Sequence, residues 1–90
     1  MAYIVTCGED RLEFNEWDDD ISPFNQAVNL CWNLCYKELE RACGEGEITS
    51  REFRKELRYL NSWYKEIKAQ PAKADIFYLF DKPFVYLKEV

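Results

Sequence analysis

SPFNQAVNLCWNLCYKELERACGEGEITSREFRKELRYLNSWYKEIKAQP, residues 22–71, holds two helix starts and two helix stops, and it decides the fold. Ser22 is an N-cap residue, and Pro23 takes the first helical position, where a missing N–H costs nothing. A first helix is expected from about Pro23 to Cys43. At roughly 100° per residue, Phe24, Ala27, Val28, Cys31, Leu34, Cys35, Leu39 and Ala42 share one face, and Leu30, Trp32 and Tyr36 widen it. So broad an apolar arc predicts the central, most buried helix. Gly44 and Gly46 end it. Thr49 and Glu52 then form the T-x-x-E pattern of a capping box, so a second helix starts near Ser50. Its apolar positions Phe53, Leu57, Leu60, Tyr64 and Ile67 recur every three or four residues as a narrow stripe. It stops before Pro71.

Outward from this pair, both ends of the chain are β-prone. Ala2–Cys7 is rich in β-branched and aromatic residues, and Leu12–Trp17 alternates, with the Gly8–Arg11 segment between them as a turn. Asp18, Asp19 and Asp20 follow as a loop. At the other end, Ile76–Phe80 and Phe84–Leu87 form a second hairpin around Asp81, Lys82 and Pro83. The order ββααββ predicts one α+β domain over residues 1–90, an antiparallel sheet of about four strands with two helices on one face. A mainly helical domain with a poorly paired first hairpin is the alternative.

Ninety residues suffice for one core, and 17% aromatic residues supply the large side chains a small core needs. The first residues lack a basic segment before their apolar run, which breaks at Gly8, and no window approaches the roughly 18 apolar residues of a membrane span. A soluble cytoplasmic protein with no membrane association and with Cys7, Cys31, Cys35 and Cys43 reduced is the expectation.

The chain has no histidine, which excludes Cys–His and Ser–His nucleophiles and most metal schemes. Carboxylate catalysis needs paired acids in contrasting environments, whereas the acids here gather on a strand and loop expected to be solvated. No catalytic residue is assigned, and an enzyme is not expected. Cys31 and Cys35 lie one helical turn apart on the apolar arc, where they read as small hydrophobes rather than zinc ligands. Asp18–Asp20 lack the alternate spacing and central glycine of a calcium loop. Neither a metal nor a cofactor is expected. Cys43, at the helix end, is expected to be the most exposed thiol. Glu38 projects into the apolar arc and is expected to reach out to Arg41.

Charge is divided along the chain. Residues 1–50 carry eleven acids against three bases, while residues 51–73 carry seven bases against three acids, within an overall net charge of −5. Such an asymmetry creates fields that steer partners. Glu13, Glu16, Asp18, Asp19 and Asp20 make an acidic surface bordered by Trp17, and carboxylates spread this way resemble a row of phosphates. That surface suits a basic protein partner, such as a nucleic-acid-binding complex, with Trp17 as anchor. Tyr59 and Trp63 flank the second helix as further contact candidates or as core residues. Arg51, Arg54, Lys55 and Arg58 recur at i, i+3, i+4 and i+7 as a basic ridge, which reads as a solvated face or as a phosphate-binding one. The overall negative charge disfavours direct nucleic-acid binding. A homodimer pairing the acidic and basic faces is a further option.

The acidic segment EDRLEFNEWDDD (residues 9–20), the short aromatic-rich α+β chain and the lack of a catalytic constellation resemble, in general character, the small phage-encoded inhibitors of bacterial defence systems, anti-CRISPR proteins among them. That group shares no sequence pattern, so no functional residue is carried over. The resemblance implies a stoichiometric blocker, acting in the bacterial cytoplasm, that occupies the nucleic-acid-binding surface or an assembly interface of a defence complex. An immunity protein that neutralises a basic toxin nuclease by the same electrostatics is the alternative. A small regulator that binds nucleic acid through the basic ridge is the second.

Overall fold

Both helix starts form as the sequence dictates in the computed structural model, which describes residues 1–90. Ser22 Oγ accepts the Asn25 N–H at 3.2 Å, with Pro23 next to the cap, and opens α1 (Pro23–Gly44). Thr49 Oγ1 accepts the Glu52 N–H at 3.1 Å, Glu52 Oε1 accepts the Thr49 N–H at 2.9 Å, and α2 (Ser50–Ala69) follows. Each reciprocal bond satisfies a donor that the first helical turn would leave orphaned. At the end of α1 the Gly46 N–H donates to Cys43 O at 3.1 Å and the Glu47 N–H to Ala42 O at 2.8 Å. This Schellman geometry needs a left-handed residue, and Gly46 supplies it at φ +76°.

The strands are β1 (Tyr3–Cys7), β2 (Asp10–Phe14), β3 (Ala74–Leu79) and β4 (Lys82–Glu89). They form one antiparallel sheet in the order β2-β1-β4-β3. The fold is therefore α+β with the order ββααββ. The first hairpin pairs fully, from Tyr3 with Phe14 to Cys7 with Asp10, so the mainly helical alternative does not arise. The first and last strands are neighbours in the middle of the sheet, and the Val90 N–H donates to Ala2 O at 2.8 Å.

Both hairpin turns differ from expectation, and β3 starts two residues earlier and β4 ends two residues later than expected. The first turn is only Gly8–Glu9, with Gly8 at φ +61°, so Asp10 and Arg11 join β2 and the strand ends at Phe14, short of Trp17. A glycine at the first central position lets a two-residue turn follow the strand twist. The second turn is Phe80–Asp81, at φ +55° and +63°, rather than Asp81–Pro83. Lys82 pairs with Leu79, and Pro83 lies in β4 opposite Tyr78, where the register shifts between Phe77 and Tyr78. That irregularity accommodates a residue with no N–H for the ladder.

One face of the sheet and both helices enclose the core. Tyr3, Val5, Phe77, Leu79, Val85 and Leu87 from the sheet meet Phe24, Ala27, Val28, Cys31, Cys35 and Leu39 of α1, and Leu60 and Ile67 of α2. The broad arc of α1 makes it the central helix, whereas α2 buries only Leu60 and Ile67 fully. Burial of each large apolar side chain contributes about 1.5 to 3 kcal/mol. Three polar bonds position α2. Trp32 Nε1–H donates to Asn61 Oδ1 at 2.9 Å, the Tyr64 hydroxyl to Asn29 Oδ1 at 2.5 Å, and Trp63 Nε1–H to Asp75 Oδ2 at 3.1 Å. Trp63 and Tyr59 also pack on the Phe77 ring, with centroids 5.1 and 5.5 Å away. Trp63 is thus a half-buried packing residue, while Tyr59 keeps an exposed side. No helix is long and apolar enough to cross a membrane.

Candidate acidic interaction site

The segment between β2 and α1 is short, and its ends are fixed by the hairpin and by the Ser22 cap. Within it Asp18 and Ile21 exchange two main-chain bonds, Asp18 N–H to Ile21 O at 3.0 Å and Ile21 N–H to Asp18 O at 2.9 Å. Asp19 therefore occupies a tight turn at φ +53°, a left-handed conformation that aspartate tolerates better than most residues. From the first turns of α1, Gln26 Nε2 donates to Glu16 O at 2.7 Å and to Ile21 O at 3.0 Å. One side-chain amide thus ties both flanks of the turn to the rigid helix.

This bracing holds Trp17 and Ile21 outward, 67% and 41% exposed, beside the exposed carboxylates of Glu16, Asp18, Asp19 and Asp20. None of these acids has an ion-pair partner, because every salt bridge in the molecule belongs to Arg41, which meets Glu38, Glu45 and Glu47. The Glu38 expectation is met there, with Arg41 Nε 2.5 Å from Glu38 Oε1. Glu13 stands on β2 opposite Ile4 and accepts a bond from Asn15 Nδ2 at 3.5 Å. The structure thus gathers Glu16–Asp20 on one braced loop and sets Glu13 at its approach. Beside Trp17 opens a cleft of about 480 Å³, lined among others by Tyr3, Phe24, Asn15, Asn25 and Lys68.

The basic ridge lies elsewhere. Arg51, Arg54, Lys55 and Arg58 are exposed and take part in no salt bridge. The helices run antiparallel, since Tyr36 meets Phe53 and Trp32 meets Tyr64. The ridge therefore sits some 15 to 25 Å along α2 from Lys68, the α2 cation at the Trp17 cleft. The acids of Glu16–Asp20 are thus separated from the ridge, whereas Glu45 and Glu47 lie on the short connection that leads into it. Where the ridge borders a concavity, at Lys55 and Tyr59, Glu56 and Asp81 share the lining and interrupt the positive field.

No group of three or more cysteine, aspartate or glutamate side chains converges as metal ligands would. Cys31 and Cys35 are buried, and burial pushes the Cys31 thiol up to about 12 and raises that of Cys35 as well. Cys43 and Cys7 are both half-buried, so Cys43 shares its partial exposure with Cys7.

The chain is a two-layer α+β fold that carries a braced acidic loop. In comparison with known proteins, no family model, no curated protein and no solved structure matches the chain. Sequence reasoning placed Trp17 and the acids but missed Gln26, Ile21 and Lys68. Gln26 reads as one more polar residue in a helical first turn, and its role depends on where the loop returns.

Proposed function

We propose that the protein is a non-enzymatic inhibitor that presses its acidic loop into a lysine- and arginine-lined surface of another protein, blocking nucleic-acid uptake or assembly there. The observation that carries this reading is the exposed Trp17 beside the unpaired carboxylates of Glu16, Asp18, Asp19 and Asp20, on a loop braced by Gln26. Unpaired acids attract a basic surface from a distance, while an exposed indole on a preorganised loop supplies short-range area at low ordering cost. The target class, a bacterial defence complex, follows from the resemblance to phage-encoded anti-defence proteins. An immunity protein against a basic toxin nuclease would use the same surface, and the identity of the captured partner separates the two. A regulator acting through Arg51, Arg54, Lys55 and Arg58 is the remaining reading, favoured by the absence of ion pairs along that ridge.

The test is capture from a nuclease-treated bacterial lysate at low salt, followed by mass spectrometry. The control carries Asp18→Lys, Asp19→Asn and Asp20→Lys, with asparagine chosen to tolerate the left-handed position. Recovery of a basic nucleic-acid-processing complex by the native protein, lost in the variant at unchanged Tm, is the expected result. A partner retained equally by the variant at low and high salt refutes the acidic-loop reading. Recovery of nucleic acid alone, in a parallel capture from lysate left without nuclease, transfers the function to the basic ridge.

A further inference from the structure

The sheet has two free edges, and they are unequal. On β3 the outward-facing Ile76 N–H is already taken by Asp75 Oδ1 at 2.8 Å, while Asp75 Oδ2 is held by Trp63. The register shift between Phe77 and Tyr78, with Phe84 of β4 as the extra residue, adds local twist to the pair that carries this edge. These are the devices by which sheets refuse an additional strand.

β2 has none of them. Its ladder to β1 is regular over five pairs, with neither a proline nor a bulge. The two-residue turn makes Cys7 and Asp10 a hydrogen-bonded pair, and alternation along the ladder gives Asp10, Leu12 and Phe14 to β1. The opposite edge of β1 agrees, because the Val90 to Ala2 bond puts the even residues of β1 on the β4 side. The main-chain groups of Arg11 and Glu13 therefore face outward, and no bond within the molecule occupies either N–H. Beneath this edge, on the helix side, lies a groove of about 300 Å³ whose apolar lining includes Leu12, Leu30 and Leu34. Leu12 is 51% exposed there.

We infer that the free edge of β2 is a docking strand, which a basic extended segment of the partner joins as a fifth strand of the sheet. Its main chain would pair with the outward groups of Arg11 and Glu13. Alternate apolar side chains would enter the Leu12–Leu30–Leu34 groove, and the intervening cations would lie on the open face near Glu13. The choice of occupant comes from charge. Glu9, Asp10, Glu13 and Glu16 outnumber the single cation Arg11, so two copies of this edge repel each other, whereas a lysine- or arginine-bearing strand is drawn in. The basic character of that partner rests on the proposed function. The docking mode does not depend on which residues of the acidic loop contact it.

The probe is a capped peptide of alternating lysine and valine, titrated at low salt into the isotope-labelled full chain and followed by NMR. A second peptide carries N-methyl groups on its lysine amides, which removes the donors that would face Arg11 and Glu13 and leaves its charge intact. The expected result is perturbation and slowed exchange at Arg11 and Glu13, with affinity at least roughly tenfold lower for the methylated peptide, the equivalent of a lost pair of main-chain bonds. Arg11→Pro blocks the same edge while removing a cation, so it should weaken binding although it makes the edge more acidic. Should that variant fail to fold, the methylated peptide decides alone. Equal binding of both peptides, perturbation confined to residues 16–21, or no binding overturns the docking strand. The lysate capture judges the acidic loop separately, so either can fail while the other stands.

Discussion

Replacing Gln26 with methionine keeps the side chain's length and removes both of its donors. In the structure these donors reach Glu16 O and Ile21 O at 2.7 and 3.0 Å. Two neutral bonds at the protein surface, whose carbonyls can rehydrate when released, are together worth about 1 to 2 kcal/mol. Because the bonded carbonyls flank the turn and belong to no other element, the loss falls on local opening of the loop. The Asp18 and Ile21 amides, which donate to each other's carbonyls, report that opening. Amide exchange followed by NMR should show both protons exchanging about five- to thirtyfold faster in Gln26→Met. Core amides such as those of Val5 and Val85 should show little change. Exchange of Asp18 and Ile21 within about twofold of the native rates would refute the bracing role and leave the paired turn to hold itself.

Three further outcomes follow from the same geometry. A thiol reagent at neutral pH should leave Cys31 and Cys35 unmodified in the native protein and reach all four cysteines in denaturant, because burial both shields those two thiols and raises their pKa, which suppresses the reactive thiolate; their fast reaction in the folded state would contradict this packing. Glu52 sits below the usual carboxylate value because the Thr49 backbone N–H donates to it, so its contribution is present above the ordinary glutamate value and lost as pH falls through the depressed one. Glu52→Gln should therefore lower Tm at about pH 6 by more than at about pH 3, and a gap that does not narrow on acidification would count against it. Asp81→Val should cost about 1 to 2 kcal/mol in urea unfolding, since a β-branched residue at φ +63° is strained, whereas Asp81→Gly should cost nothing; equal stability of the two would show that the turn rearranges.

Signals confined to a few neighbouring residues were the legible ones. Ser22–Pro23, Thr49 with Glu52, and Gly46 fix helix ends through bonds spanning three to five residues and form as read, whereas Gly44 is the last residue inside α1. The apolar spacing likewise ranked α1 above α2 in burial. What escaped depends on distant partners. Phe80 looks like a strand residue, and it enters a left-handed turn because Leu79 must pair with Lys82 and Pro83 needs an irregular register. Trp63 looked as available for contact as Tyr59 until Phe77 and Asp75 were in place beneath it. At the site, acids beside a tryptophan were visible in the sequence. The amide that braces them and the unequal sheet edges were not, since both belong to the assembled sheet.

The seam between β1 and β4 gives the protein a direction in which it is mechanically weak. The two halves of the sheet meet only there, and the main-chain bond at its outermost pair joins Ala2 to Val90. Tension applied at those two residues loads the ladder one pair at a time, as a zipper opens, rather than shearing all the pairs together. Parting the hairpins at this seam would split the layer that covers the apolar face of α1, since each half supplies only part of it. A load that pulls Ala2 away from Val90 would therefore open the sheet from this seam, one residue pair after another.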